Sequence, residues 1–174
     1  KKGKMLSFTS SLSQDSEAFA IFVTEKYEYK DKKDVLSNSA VQKINSFLGV
    51  LKRKKSKEDI SFFDISDEQK CFIIIVKSKF ESHWPQEKGG SFFSYLKKFK
   101  DIKKVNVYAD SLDFDKEKLG SFFSQFIFGL NLKSYTFNKY KTLDKEKVNK
   151  KIDFKIITKN KEKIEKKYKY YDTI

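Results

Sequence analysis

The sequence contains few of the residues from which most enzyme active sites are built. Its 174 residues include one histidine, one cysteine, one proline and six glycines. A single cysteine, Cys71, excludes an intramolecular disulfide and a thiolate metal cluster, and it fits a reducing, cytoplasmic location. A single histidine, His83, excludes a two-histidine metal site. The low proline and glycine content is not that of a linker, a collagen or a low-complexity chain.

Long apolar runs are also missing, and arginine is scarce. No segment approaches the roughly 20 consecutive apolar residues that span a bilayer, so no membrane association is predicted. Arg53 is the single arginine among 38 cationic side chains, and the formal net charge is +14. This excess of lysine is typical either of an AT-rich genome or of a surface that binds an anionic partner, and both interpretations stay open here.

Aromatic residues offset a modest apolar content. The chain has 18 phenylalanines and 9 tyrosines, each of which can bury a large area, and its length fits one domain. Short apolar runs alternate with segments of helical periodicity, which predicts an α/β fold with a mixed, mostly parallel sheet and helices on both faces. The predicted strands are residues 6–10, 18–23, 60–65, 71–76, 105–109, 135–137 and 152–158, and the predicted helices lie around 41–48, 91–99, 119–130 and 162–171.

The residues that could act in catalysis, anion binding or metal binding are better explained by structural roles. His83 falls in a predicted loop over residues 80–90, and Cys71 begins the most apolar strand, which favours a buried thiol. Gly89 and Gly90 precede a predicted helix, where they mark its entry or bring amides near an anion. The carboxylates suit turns and helix caps; they are Asp64, Asp67, Glu68, Asp110, Asp113 and Asp115. We therefore predict no catalytic residue, no metal ligand and no cofactor in this chain.

Two lysine-rich zones suggest an electrostatic function. Five cations fall within six residues at Lys52, Arg53, Lys54, Lys55 and Lys57. Residues 139–169 hold 13 lysines and five acidic residues, with tyrosines interleaved. Such zones attract nucleic acid without sequence preference, and tyrosines can stack on exposed bases. A solvated helix face produces the same pattern, so nucleic-acid binding is the alternative hypothesis for this chain.

One run of residues resembles a known family. The family pattern falls at Gly129, Leu132, Ser134, Tyr135, Phe137, Tyr140, Lys141 and Thr142. This run is similar to the segment that closes the N-terminal domain of leucyl (cytosol) aminopeptidases. The order of predicted strands and helices is similar as well, whereas the rest of the chain is too divergent to align by eye. From the residues alone, the run is a packing element at a helix end followed by alternating strand residues.

The resemblance implies a macro-domain-like three-layer α/β/α fold. It implies an N-terminal domain over residues 1–158 and, over 159–174, the start of a basic linker helix towards a catalytic domain. In the family, two divalent ions (Zn or Mn) are held wholly in that C-terminal domain. The implied partners are the chain's own catalytic domain and further copies in a homohexamer, and some bacterial members bind DNA. The loop after Val76 lacks glycine, which argues against the ADP-ribose binding of a true macro domain.

Overall fold

A computed structural model describes residues 6–12, 15–141 and 151–172 of the chain. Six strands form one sheet in the order β1–β6–β5–β2–β4–β3, in which only β3 runs antiparallel to its neighbour. The strands are β1 (Leu6–Thr9), β2 (Ala18–Thr24), β3 (Ile60–Ser66), β4 (Gln69–Val76), β5 (Lys104–Tyr108) and β6 (Asp153–Ile157). The α-helices are α1 (Asn38–Arg53), α2 (Trp84–Leu96), α3 (Lys116–Lys141) and α4 (Lys161–Asp172), and a 3₁₀ turn covers Ala109–Ser111.

The sheet separates two apolar cores. In β2, Ala18, Ala20 and Phe22 face the core formed with α2, α3 and α4, while Phe19 and Ile21 face the core formed with α1. Because β2 is covered on both faces, its sequence is continuously apolar rather than alternating. The predicted three-layer arrangement with a mixed, mostly parallel sheet is therefore confirmed.

Two predictions about secondary structure are wrong. Residues 135–137 are not a strand, because α3 continues through them to Lys141. Ser134 is buried and the ring of Phe137 packs on Phe93 of α2, so tertiary contacts override the local strand preference of Tyr-Thr-Phe. The segment 80–90 is not all loop either, since α2 begins at Trp84 with Pro85 in its first turn, where a missing amide hydrogen costs nothing.

Side chains cap the starts of two helices. The cap of α1 is Ser37, whose hydroxyl accepts a hydrogen bond from the Ala40 amide at 3.2 Å. The expected cap of α3 is confirmed at Asp115, which accepts from the Lys118 amide at 2.9 Å. Both side chains satisfy amides that the first helical turn leaves without a partner.

The last helix packs on the body of the domain. Ile164 of α4 is fully buried in the same core as α2 and α3, and the Asn131 side-chain amide of α3 donates to the Tyr168 hydroxyl at 3.1 Å. Lys163 and Lys167 both approach the carboxylate of Glu117 on α3, the latter at 3.9 Å. Several lysines of the second basic zone are thus used within the fold. The division at residue 158 stays a prediction.

Candidate functional site

The run 129–142 lies on α3 and takes part in an unusually close contact with α2. A Cβ placed on Gly129 would lie 1.9 Å from the Gln86 carbonyl oxygen of α2. A Cβ placed on Gly89 would in turn lie 1.9 Å from the Phe126 carbonyl oxygen of α3. No side chain fits at either position, so the two helix backbones touch through a reciprocal pair of glycines. Gly89 is therefore a packing residue inside a helix and does not present amides to an anion.

The remaining residues of the run divide between the core and the surface. Ser134 is buried and Phe137 contacts α2, as a packing role requires. Leu132 and Tyr135 are instead exposed, at 46% and 65%, so the expected packing role does not hold for these two residues. The reason is the helical period, which turns Leu132 away from the face that Leu130 shares with Ser134. Thr142 and the side chains of Tyr140 and Lys141 lie outside the described residues.

The basic connector comprises Lys52, Arg53, Lys54, Lys55 and Lys57. It covers the end of α1 and the loop before β3, and all five side chains are exposed. Among the described residues none of the five forms an ion pair. The Ile75 amide donates to the Asp59 carbonyl at 2.8 Å, and the Tyr27 hydroxyl donates to the Ser56 carbonyl at 3.2 Å. These bonds fix the connector beside the carboxyl ends of β2 and β4.

The two remaining candidates, Cys71 and His83, lie in the core and on the surface, respectively. Cys71 is fully buried, as expected, and burial raises the pKa of its thiol well above the ordinary value. His83 is exposed at the start of α2, with its Nε2 atom 3.7 Å from the Glu87 carboxylate.

Within residues 6–12, 15–141 and 151–172, no three histidine, cysteine or acidic side chains come together as metal ligands. In the same residues, none of the α-helices combines the length and the apolar character that a bilayer span requires.

A cleft opens where β2 and β5 separate at their carboxyl ends. The chain leaves β2 towards α1 on one face of the sheet and leaves β5 towards α3 on the other. Open α/β sheets form a crevice at such a point. Here β5 stops short of the end of β2, and the Ser111 hydroxyl accepts the Phe22 amide at 2.9 Å in place of a strand partner. The cleft has a volume of about 470 Å³.

Lysines dominate the lining of this cleft. Five lysines and three acidic residues contribute to it; they are Lys26, Lys30, Lys32, Lys77 and Lys118, with Glu25, Glu28 and Asp113. Lys32 binds Asp113 at 2.7 Å, and the hydrogen bond from Lys32 lowers the pKa of that carboxyl. Glu25 accepts from the Ser78 hydroxyl at 2.9 Å, which ties the loop after β2 to the loop after β4.

Three of these lysines have no anionic partner within the described chain. Lys26, Lys30 and Lys77 are exposed and form no ion pair with a described residue. Lys118 instead lies over the ring of Phe114, with its ammonium 4.2 Å from the ring centroid. The cleft therefore offers a positive mouth above an apolar floor.

Comparisons with known proteins place this geometry in a fold class. No family model and no curated protein matches the chain. Among solved structures, the macrodomain of Thermus aquaticus DarG aligns at a TM-score of 0.63 and 10% identity, over 90% of this chain and 99% of that one. The Oceanobacillus iheyensis macrodomain with MES bound gives 0.58 and 7%, over 97% and 92%. The fold is macro-domain-like.

A mutant of tomato leucine aminopeptidase is a structural neighbour of another kind. It aligns at a TM-score of 0.62 and 14% identity, over 96% of this chain but 35% of the enzyme. This chain thus spans about a third of the tomato enzyme. At such identities these likenesses show the fold alone.

The sequence did not reveal the cleft. Its lysines come from two loops and from the first turn of α3, and only the sheet order brings these segments to one edge. The topological switch point follows only once the strand order is known, and local sequence patterns do not supply that order.

Proposed function

We propose that this chain is the non-catalytic N-terminal domain of a leucyl-aminopeptidase-like protein, with a role in assembly, substrate access or regulation. The observation that carries the proposal is the run 129–142, whose residues resemble the segment closing that domain in the family. Gly129 at the α2–α3 contact gives the resemblance a physical reason, since no other residue fits there. The parent would cleave N-terminal amino acids from peptides with two Zn or Mn ions held outside this chain.

The likeness to tomato leucine aminopeptidase supports this proposal. Nearly the whole chain aligns with about a third of that enzyme, as expected for one domain of a larger protein. The macrodomain likenesses are compatible with it, because the family's N-terminal domain has a macro-domain-like fold. The partners we propose are the chain's own catalytic domain and further copies in a homohexamer.

The coding sequence that follows the codon for Ile174 tests the family directly. We expect it to encode the lysine, arginine, aspartate and glutamate motifs of a two-metal aminopeptidase. If it encodes a different domain type, or none, the assignment is wrong. The mass of the intact protein in solution then tests the hexamer separately.

The basic connector favours nucleic-acid binding as a second candidate function. Its five exposed cations form no ion pair with a described residue and are available for phosphate groups. Binding of a labelled single-stranded oligonucleotide, measured by fluorescence anisotropy at several salt concentrations, would weaken steeply with salt. Replacing Lys52, Arg53, Lys54 and Lys55 with glutamine is expected to lower the slope of log affinity against log salt by about 1 or more.

A matched variant makes this test specific to the connector. Lys98, Lys100, Lys103 and Lys104 are exposed at the opposite end of the sheet, so replacing them with glutamine removes the same charge elsewhere. We expect this variant to leave the salt slope nearly unchanged. Equal effects from both variants, or no binding at low salt, would dismiss the candidate.

A further inference from the structure

We propose that the cleft between the carboxyl ends of β2 and β5 binds a compact organic anion, with a phosphate or carboxylate head and a small apolar group. The cleft, at about 470 Å³, has the size of a small-molecule site. It lies at the switch point of the sheet, apart from both the α2–α3 contact and the metal chemistry assigned to the parent. The proposal does not depend on which larger protein contains this domain.

The charge of the lining selects an anion. Lys26 and Lys30 come from the loop after β2, and Lys77 follows β4 directly, so three cations from two loops reach one mouth. The lining acids cancel the lysines only in part, because five lysines against three acids leave a net charge of +2. One of those acids, Asp113, is already bound by Lys32. Lysine ammonium groups bind phosphate and carboxylate as point charges, and their flexible side chains can adjust to a single anionic head.

The floor of the cleft favours an apolar group next to that head. Phe22, Val76 and Leu112 form the floor, and the half-buried ring of Phe114 forms part of a wall. Lys118 lies over this ring, which holds another positive charge near the mouth. A ring or short hydrocarbon could rest on this floor while its anionic head meets the lysines.

The segments around the cleft argue against the binding of an extended diphosphate. Cradling one with backbone amides needs loops that approach the phosphates closely, for which glycine is the usual residue. None of the six glycines falls within residues 25–37, 77–83 or 109–115, the three segments around the cleft. Side-chain ammonium groups therefore replace backbone amides, and the ligand is compact.

Titration of the protein with phenyl phosphate, followed by amide chemical shifts and by calorimetry, tests the proposal. We expect shifts at the lining residues, weaker binding of benzoate and inorganic phosphate, and none of neutral benzyl alcohol. Benzoate carries the carboxylate head on the same ring and inorganic phosphate lacks the ring, so the three anions separate the contributions of head and apolar group. The triple variant Lys26→Gln, Lys30→Gln, Lys77→Gln should weaken phenyl phosphate binding by about tenfold or more, since it removes three charge-assisted contacts.

The opposite end of the sheet again supplies the matched control. Lys98→Gln, Lys100→Gln and Lys103→Gln remove the same charge at exposed positions outside the cleft lining, and we expect less than a twofold change. Equal loss in both triple variants would show diffuse attraction and overturn the proposal. So would the absence of shifts at the cleft, or binding of ADP-ribose more than tenfold tighter than phenyl phosphate.

Discussion

The α2–α3 contact and the cleft between β2 and β5 are fixed by different forces. At the helix contact, Gly89 and Gly129 let two backbones touch, and a single methyl group would collide with a carbonyl oxygen. At the cleft, exposed lysines from separate loops surround an open volume, and any one of them can change without a clash. The first region specifies the fold sterically, whereas the second leaves residues available for a ligand. The run that resembles the leucyl aminopeptidase family falls on the first region, so the resemblance concerns helix packing and not a ligand site.

Two large effects are predicted for α3 and its packing, and the first is at the helix contact. Gly129→Ala and Gly89→Ala are each expected to lower the free energy of unfolding by about 2–4 kcal/mol, because the helices must move apart to admit the methyl group. Urea denaturation measures the change. Gly90→Ala is the matched control in the same helix, since its Cβ would lie 3.6 Å from the Lys133 side chain. That variant should gain about 0.5–1 kcal/mol from reduced backbone freedom. Equal changes in the free energy of unfolding for Gly89→Ala and Gly90→Ala would contradict the steric explanation.

A second prediction compares buried and exposed residues within the run. Leu130 is fully buried, so Leu130→Ala should cost about 2–5 kcal/mol through lost contacts and a cavity. Leu132 is 46% exposed, and Leu132→Ala should change the free energy of unfolding by less than about 0.5 kcal/mol. Thermal and urea unfolding of the two variants measure this difference in the free energy of unfolding. A large loss at Leu132 would mean that α3 is oriented differently from the structure described here.

The smallest of the three effects is at the amino end of the sheet, opposite the cleft. Glu17 accepts from the Lys103 and Lys104 amides at 3.0 and 2.7 Å, joining the start of β2 to the segment entering β5. Burial alone would raise the pKa of Glu17, but these hydrogen bonds outweigh it and the pKa is lowered. The amino ends of β2 and β5 are therefore clamped together, while their carboxyl ends separate.

The lowered pKa of Glu17 sets the direction of a pH dependence. Because the folded pKa lies below the unfolded value, the stabilisation is complete above the unfolded pKa and is lost as pH falls through the folded pKa. Glu17→Gln should cost about 1 kcal/mol at pH 7, after allowance for solvent screening of a partly exposed group. The difference from the unsubstituted protein should shrink below about pH 4, as measured by urea unfolding across that range. A difference that grows on acidification would contradict this role.

Strands were predictable where burial is continuous. The runs at 18–23 and 71–76 were placed within two residues of β2 and β4, because only a sheet covered on both faces explains short, wholly apolar segments. The end of α3 was missed, since Tyr135, Thr136 and Phe137 favour a strand locally and only their position on a helix packed against α2 decides otherwise. The start of α2 was missed as well, although Pro85 was a signal for a first helical turn.

The glycine contact and the cleft could not be predicted, for a shared reason. Gly89 and Gly129 are 40 positions apart in the chain, and neither shows from sequence that it faces the other helix. Lys26, Lys30 and Lys77 meet only because β2 and β4 are neighbours in the sheet. Local sequence patterns indicate burial and periodicity. The glycine contact and the cleft depend instead on which distant segments pack together.

The central claim is that this chain supports a metal-dependent aminopeptidase without itself being one. The direct test is to incubate the purified chain with Mn²⁺ or Zn²⁺ and a chromogenic leucyl substrate, beside a metal blank without protein. We predict hydrolysis no faster than in the blank. Hydrolysis that rises in proportion to the protein concentration and is abolished by a chelator would contradict the claim.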